Sequence, residues 1–584
     1  METNKRILLA VIISAVILLG FNFLLPKPPQ QDKAVPKPHT VSQTVKSEPA
    51  SLPQSKVPEI VGSPASPVSD QKEYRLVVAG KDVQGSINLR GARLDDLVLT
   101  KYRETLHPDS PLVRLLDKAG SEKPSYVYLG WENGEGSSVE LPGLNTLWQS
   151  NDQELTPDHP VTLTWDNGQG VAFLIHLKLD EHYMFTVQQE VKNSSDKPVS
   201  LRPFQRVQRD YLPDSTGSYT AYEGPVAVMN GELADNGYKA LREGVDEPGH
   251  ISWQATGQGG WGGITDKYWL TSIGADSSSI VTAQYAYQPV GKGIYQVTFQ
   301  SRDVQTIQPG ASMGQGSYIF AGAKVPSLLK SYGKTYSLPD FDKSIDFGRL
   351  RLLTRPILYV SHWLYVHIGN FGLALMALTL IVKVILYPLA VKAAVSSARM
   401  RLMAPKIAEL REKNKEDPMA LNQKIMAMYR EEKVNPAGGC LPILIQAPIF
   451  FCLYKILNLS IDERHAPFFG WIHDLSVPDP TNILNLFGLL PFEPTDIASF
   501  LHVSIWGIAL GVTFWLLQRQ SMVSMDPMQA RIMQFMPIIY VFVMSSFPAG
   551  LMVYYTWNNV LTIAQQAIIQ RKTKLPVPLY KVKK

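Results

Sequence analysis

Residues Leu378–Val391 read LTLIVKVILYPLAV, inside an apolar run that begins near Ile368, and Lys383 stands in the middle of it. A run of this length is a candidate membrane span. A lysine at the centre of a span costs roughly 2.5–3.5 kcal/mol on insertion scales, so it usually has a function or a way out. Pro388 follows five residues later, about 7.5 Å along a helix axis. The ammonium can therefore snorkel to the interface, and on this residue alone that reading stays open. Its neighbours argue the other way. Thr379 and Tyr387, at i−4 and i+4, predict a polar face shared with Lys383.

Further apolar runs cover about Gly438–Leu459, Ser499–Leu517, Met533–Phe547 and Leu551–Ile569. The last carries a polar stripe of Tyr555, Asn559, Thr562 and Gln566, flanked by Tyr554, Asn558 and Gln565, and Gln446 adds a polar group to the first of these runs. Helices facing lipid on all sides would leave such groups unsatisfied. The pattern predicts polar faces turned onto a shared wet cavity, with Lys383, Thr379, Tyr387, Gln446, Tyr555 and Asn559 lining it.

At the other end of the chain, Ile7–Leu25 follows Lys5 and Arg6 and is long enough for one span. A cleaved signal peptide is the rival, but the run lacks a small-x-small cleavage site, so an uncleaved anchor with a cytoplasmic N-terminus is expected. That makes six spans and places both termini on one side. The loop charges agree. Lys392, Arg399, Arg401, Lys406, Arg411, Lys413, Lys415, Lys424, Arg430 and Lys433 crowd the connection 390–436, and Arg571, Lys572, Lys574, Lys581, Lys583 and Lys584 close the chain. The loop 460–498 instead sets Asp462, Glu463, Asp474, Asp479, Glu493 and Asp496 against Arg464. Basic loops stay in the cytoplasm, which places the acidic loop outside. The spacing also predicts a helical hairpin, Ala390–Lys413 and Met419–Glu432, bearing Met400, Met403, Met419, Met426 and Met428. These methionines suit either varied apolar partners or packing between the two helices.

Residues 26–71 are rich in Pro, Ser, Gln, Lys and Val without apolar periodicity and read as a linker. Residues 72–325 show period-two alternation, as in Phe173, Ile175, Leu177 and Leu179, or Tyr295, Val297 and Phe299 against Gln296, Thr298 and Gln300. Many such strands predict an antiparallel β-sandwich on the outer side. Its histidines His107, His159, His176, His182 and His250 are scattered, with no nucleophile, metal or phosphate motif, and His176 lies in a polar register. A connector, 326–364, contains a helix near Val325–Tyr332 and a basic, aromatic stretch, Arg349–Trp363, expected to lie in the headgroup plane or against the sandwich. The core then spans 365–572, with a tight turn at 548–550 and a basic tail, 573–584. With 56 Lys+Arg against 51 Asp+Glu the balance is only +5, too small to suggest a DNA-binding protein. Cys440 and Cys452, twelve residues apart in one apolar run, are separated by about 18 Å of helix and cannot pair. No cofactor, metal site or catalytic residue is expected.

The stretches LIVKVILYPL, EKVNPAGGCLPILIQAPIF, APFFGWIHDLSVPDP, DPMQARIMQFMP and FPAGLMVYYTWNN, together with the hairpin, strongly resemble the YidC/Oxa/Alb family of membrane protein insertases, in its long form. The resemblance implies a polytopic α-helical membrane protein with a five-helix core, and a periplasmic β-supersandwich like that of galactose mutarotases. It implies insertion of nascent membrane proteins into the bacterial inner membrane, alone or with the Sec translocon and ribosome, without ATP hydrolysis. Lys383 takes the position of the family's groove cation, usually arginine, and Thr379 and Tyr555 match polar positions that contact substrate. Lysine keeps the charge and loses arginine's planar fork. Two other classes remain: a secondary transporter, for which the halves show no inverted repeat, and a membrane-tethered carbohydrate-binding protein working through its β domain. Deleting about residues 72–325 separates the last from an insertase.

Overall fold

Phe173, Ile175, Leu177 and Leu179 fall on one strand, Val171–Leu179, and all four are buried. This comes from a computed structural model that describes residues 74–213, 221–243, 250–348, 350–414, 417–431, 441–492, 494–497, 501–521 and 527–573. The expected anchor Ile7–Leu25, the linker 26–71, Arg349, Cys440 and the tail beyond Thr573 lie outside the described residues. The chain divides into two compact units, one built from residues up to 346 and one from 347 onward, with 105–109 and 325–327 assigned to the second.

The first unit is a β-sandwich of an 11-stranded and a nine-stranded sheet among the described residues. Val199–Arg209 pairs antiparallel with Ser125–Asn133 and Ile294–Ser301 in the larger sheet. Met184–Asn193 lies between Val171–Leu179 and Ser312–Ala323 in the smaller one. Alternation describes this unit only in part. Tyr295, Val297 and Phe299 are buried, and so are Gln296, Thr298 and Gln300 on the opposite face. That polar face is kept bonded: Gln296 donates to Gln208 at 2.8 Å, and Thr298 accepts from the Arg206 Nε at 2.9 Å. Buried polar groups are tolerated in this way. His176 sits between the Thr162 hydroxyl (3.0 Å) and the Glu190 carboxylate (2.8 Å), a structural bridge across three strands.

The second unit is helical. Its helices are α1 (Arg351–Ile368), α2 (Phe371–Ile385), α3 (Tyr387–Lys413), α4 (Pro418–Glu431), α5 (Leu441–Leu459), α6 (Ile505–Ser521), α7 (Pro527–Ser545) and α8 (Ala549–Thr573). The basic aromatic stretch becomes α1, which packs into the helical unit: Thr354, Leu358, Ser361 and Leu364 are buried, and Thr354 donates to the buried Cys452 of α5 at 3.3 Å. Helices α3 and α4 are the two arms expected of the hairpin.

The run through Lys383 does not continue as one helix. Asn370 caps α2 through the Leu373 N–H at 3.0 Å, and at Leu386 the chain turns so that α2 and the first part of α3 meet at 63°. Pro388 explains the break, because its ring would meet the Val384 carbonyl of a continuing helix and it has no N–H to give. Tyr387 therefore sits beyond the bend, on α3, and does not share a helical face with Lys383 and Thr379. Among the described residues no single helix is both long and apolar enough to cross a membrane, although the bent pair Phe371–Ile385 and Tyr387–Ser396 meets those criteria together. The polar stripe is what dilutes α8.

The loop between α5 and α6 finishes its neighbours. Ser504 accepts from the Gly507 N–H (3.0 Å), Thr481 from Ile505 (3.0 Å) and the buried Asp479 from Trp506 (3.1 Å), which satisfies orphan donors at the start of α6. Ala549 and Gly550 donate to the Val477 and Leu475 carbonyls at 2.7 and 2.9 Å, so the loop holds α8 as well. Along α6, Gly507 and Gly511 let α7 approach: a Cβ at Gly511 would press on the Val541 side chain, and one at Gly507 on Ser545. Small residues four positions apart let the two helix backbones come close. Gly511→Leu should cost about 1–3 kcal/mol through overpacking. Thermal unfolding of the purified protein in detergent should shift down accordingly, with Gly511→Ala less affected.

Candidate functional site

Helices α2, α5, α6, α7 and α8 share a core that is sorted along its length. Phe371, Leu375 and Leu378 of α2, Leu453 and Leu457 of α5, Leu510 of α6, Met544 of α7 and Leu551–Tyr555 of α8 form one buried apolar cluster. Toward the other end of α2 and α8 and the start of α5, the inward positions become polar: Lys383, Gln446, Asn558, Asn559, Thr562 and Gln566.

Lys383 is half-buried, and its Nζ donates to the Thr562 hydroxyl at 2.7 Å. Thr562 in turn donates its hydroxyl hydrogen bond to the Asn558 carbonyl at 2.6 Å, the back-bond open to a threonine inside a helix. Among the described residues no carboxylate pairs with Lys383. The cation is held by a neutral hydroxyl whose dipole is already oriented, an arrangement that positions the charge without neutralising it.

The other expected site residues are placed as follows. Thr379 is buried and donates to the Leu375 carbonyl at 2.6 Å, one turn above Lys383 on α2. Tyr555 is buried against Phe450 and Tyr554, and its hydroxyl has no hydrogen-bond partner among the described residues. Gln446 lies beside Tyr554, and its buried Nε2 has no hydrogen-bond partner among the described residues. Asn559 donates to Thr513 of α6 at 3.1 Å. Tyr387 is half-buried on α3, beyond the bend. Lys383, Thr379, Gln446, Tyr555 and Asn559 therefore belong to one bundle of packed helices, and Tyr387 stands apart on the next helix.

Two partners were not singled out from sequence: Thr562, which holds the lysine, and Thr513, which holds Asn559. Thr562 was visible as part of the stripe, but spacing within one helix does not say which member faces a residue 179 positions away. Thr513 left no sequence signal, because a threonine in an apolar run usually bonds its own helix, as this one also does to Ala509 at 3.0 Å.

The bundle exposes large apolar side chains on its outside and buries polar groups beside its apolar cluster. Leu380, Ile381, Val384 and Ile385 of α2, Val512 and Leu516 of α6, and Phe535, Ile538, Ile539 and Val543 of α7 are exposed, while Thr354, Ser361, Thr379, Ser504, Ser545, Asn558 and Asn559 are buried. A water-soluble domain keeps its large apolar side chains inside and its unpaired polar groups outside. The buried Tyr555 and Thr556 hydroxyls, Gln446 Nε2, Gln518 Oε1 and Gln566 Oε1 have no hydrogen-bond partner among the described residues. Each such atom costs about 1–3 kcal/mol when left dry.

Comparison with known proteins gives the following. The family model described as the 60Kd inner membrane protein matches residues 363–576, and that of the YidC periplasmic domain matches 75–360. A membrane protein insertase YidC from Granulibacter bethesdensis is 45% identical over 98% of this chain and 99% of its own length. One from Acidiphilium cryptum is 46% identical over 85% of this chain and 84% of its own. A crystal structure of an active YidC insertase with its first transmembrane domain resolved is 19% identical and covers 85% of this chain and 92% of its own; its TM-score of 0.34 is too low to carry an argument.

Proposed function

This chain belongs to the YidC family of membrane protein insertases, and from that premise we propose how its residues carry insertion out. It is a bacterial inner membrane protein that inserts membrane proteins, and its β-sandwich is the family's periplasmic domain. In our reading the helices α2 and α5–α8 are five spans, joined by the N-terminal anchor as a sixth, with both termini in the cytoplasm. The exposed faces of α2, α6 and α7 meet lipid. The polar end of the bundle, nearer the cytoplasm, is a hydrated groove, and the apolar cluster from Phe371 to Tyr555 closes it on the outer side.

Lys383 is the positive centre of that groove. The observation that carries the reading is that, among the described residues, its hydrogen-bond partner is the neutral Thr562 hydroxyl. A lysine already neutralised by an acid would offer nothing to a client, whereas this one offers a positive field to an acidic tail on its way out. Thr379, Gln446, Tyr555 and Asn559 supply the polar wall, so the tail crosses less hydrocarbon. Partitioning of the client's apolar helix drives the process, at a few tenths of a kcal/mol for each Leu or Ile. Each acidic residue moved outward across a membrane potential that is negative inside contributes about 2.3 kcal/mol per 100 mV. No nucleotide-binding motif is needed for such an unpowered, non-enzymatic step. Liposomes containing only the purified protein should protect a single-span client from protease without nucleotide, and, for an acidic tail, more so with a lumen-positive potential; no gain over protein-free liposomes would refute the mechanism.

On the cytoplasmic side, α3, α4 and the basic chain from Arg571 form the surface offered to nascent chains and ribosomes, because ribosomal RNA is anionic and such contacts weaken with salt. Removing residues 571–584 should weaken ribosome binding severalfold at low salt in a co-sedimentation assay. Unchanged binding at low and high salt would release the tail from this role.

The β-sandwich has its own core and serves partners outside the membrane, Sec components among them. A chain lacking residues 72–325 but keeping α1 should retain most insertion activity in a complementation assay, within about threefold. Complete loss would place the function in the sandwich.

A further inference from the structure

The extracytoplasmic loop between α5 and α6 shows large apolar side chains where a solvated loop would show polar ones. Leu489 is 82% exposed, Phe487 58%, Leu486 50% and Phe492 45%, with Phe469 at 60% nearby on the same connection. Between Asp479 and Glu493 the chain carries no charged residue. Patches of this kind on soluble surfaces mark a binding face.

The backbone presents these side chains deliberately. Leu486 and Phe487 adopt φ of 51° and 60°, and Gly488 follows at 86°. Bulky residues seldom enter the left-handed region, so the turn is strained unless something rewards it. Asn482 accepts from the Leu484 N–H at 3.2 Å and Asn485 from the Gly488 N–H at 3.0 Å, which fixes the turn from inside. The polar side chains are spent on the backbone, and the apolar ones are left pointing out.

The position of the loop says what they point into. Asp479, Thr481 and Ser504 cap α6, and the Leu475 and Val477 carbonyls receive the first N–H groups of α8. The loop is thus fastened at the level where two helices end on one side of the bundle. Trp471 donates its indole N–H to the buried Asp479 at 3.0 Å while its ring stays partly exposed, the amphipathic placement typical of aromatic residues at a membrane interface.

We propose that the segment Leu486–Phe492 is a membrane-inserting turn that sinks its apolar side chains into the outer leaflet, with lipid as the partner. The proposal rests on the five-span reading above, since only that reading puts the ends of α6 and α8 at the outer interface. A protein partner is disfavoured by the lack of charge across the whole segment, because protein interfaces of this size carry a polar rim. The turn anchors the caps of α6 and α8 at a constant depth, while the opposite end of the bundle stays open to clients.

Depth measurement tests this. In a background without Cys440 and Cys452, single cysteines at Phe487, Leu489, Ile381 and Ser277 are labelled with an environment-sensitive fluorophore, and each full-length protein is reconstituted into phosphatidylethanolamine–phosphatidylglycerol liposomes. Ile381 is exposed on α2 and reports the span; Ser277 is exposed on the sandwich and reports water. Labels at Phe487 and Leu489 should emit to the blue of the Ser277 label and be quenched severalfold more by shallow than by deep nitroxide lipids, with Ile381 favouring the deep ones. A Leu489 label quenched by aqueous iodide like Ser277, while Ile381 is quenched by lipid, overturns the turn and leaves the spans standing. A Leu489 label shielded from both iodide and lipid means a protein contact and also overturns it. Failure of Ile381 to respond to any lipid quencher overturns the five-span reading itself.

Discussion

Lys383→Glu should lower insertion of a client with an acidic exported tail by tenfold or more, a barrier increase of about 1.4 kcal/mol or greater. The same variant should barely change a matched client whose tail is uncharged and whose span is strongly apolar. The reason is local. Thr562 orients a charge that no described acid cancels, so reversing that charge replaces attraction by repulsion at a site screened only by a few polar groups. Lys383→Ala should fall between wild type and the glutamate. Lys383→Arg should retain most activity, because the charge and a donor to Thr562 both survive, even though the fork geometry differs. The readout is protease protection of paired clients differing only in tail charge, at matched levels of each variant. Equal activity of Lys383→Glu and wild type on the acidic client would reduce the lysine to a snorkelling anchor.

Asp479→Ala should destabilise the helical unit by about 3–5 kcal/mol, the range for removing one member of a buried, charge-assisted network. Asp479 is fully buried and accepts from the Trp471 indole, the Thr481 N–H and hydroxyl, and the Trp506 N–H. Its carboxylate also sits at the start of α6, where negative charge is favoured. Without it the cap fails and the orphan donors are left in a poorly hydrated place. Asp479→Asn keeps the shape and one acceptor oxygen and should lose roughly half as much. Thermal unfolding in detergent measures both, and faster tryptic cleavage between α5 and α6 should accompany the loss. A change in melting temperature no larger than that of an exposed control such as Asp496→Ala would show that the loop does not hold α6.

The sandwich, the hairpin and the polar stripe were legible because each repeats at the period of its element: two for Val171–Leu179, near 3.6 for Tyr555, Asn559, Thr562 and Gln566. Two features escaped for physical reasons. The break at Leu386 arises from Pro388, two residues further on, whose effect on a continuous apolar run is steric and leaves the hydropathy unchanged. Tyr387 was grouped with Lys383 on spacing that holds only while the helix is unbroken. The second escape is Thr562 as the partner of Lys383, a contact between helices far apart in sequence, which no single-helix pattern encodes. Burial of Gln296, Thr298 and Gln300 is hidden in the same way, because alternation marks which face is polar and does not show that Gln208, Arg206 and Glu132 gather over it.

The most direct measurement of the groove is photo-crosslinking of a ribosome-stalled client from this chain. A photoreactive residue at Gln446 or Thr562, in variants first shown to retain insertion, should capture the client's acidic tail, and capture should drop severalfold when Lys383→Glu is added. The same probe at the exposed Val512 of α6 should capture lipid and little client. Client capture at Val512 equal to that at Gln446 and Thr562, and indifferent to the charge at 383, would contradict a polar groove centred on the lysine.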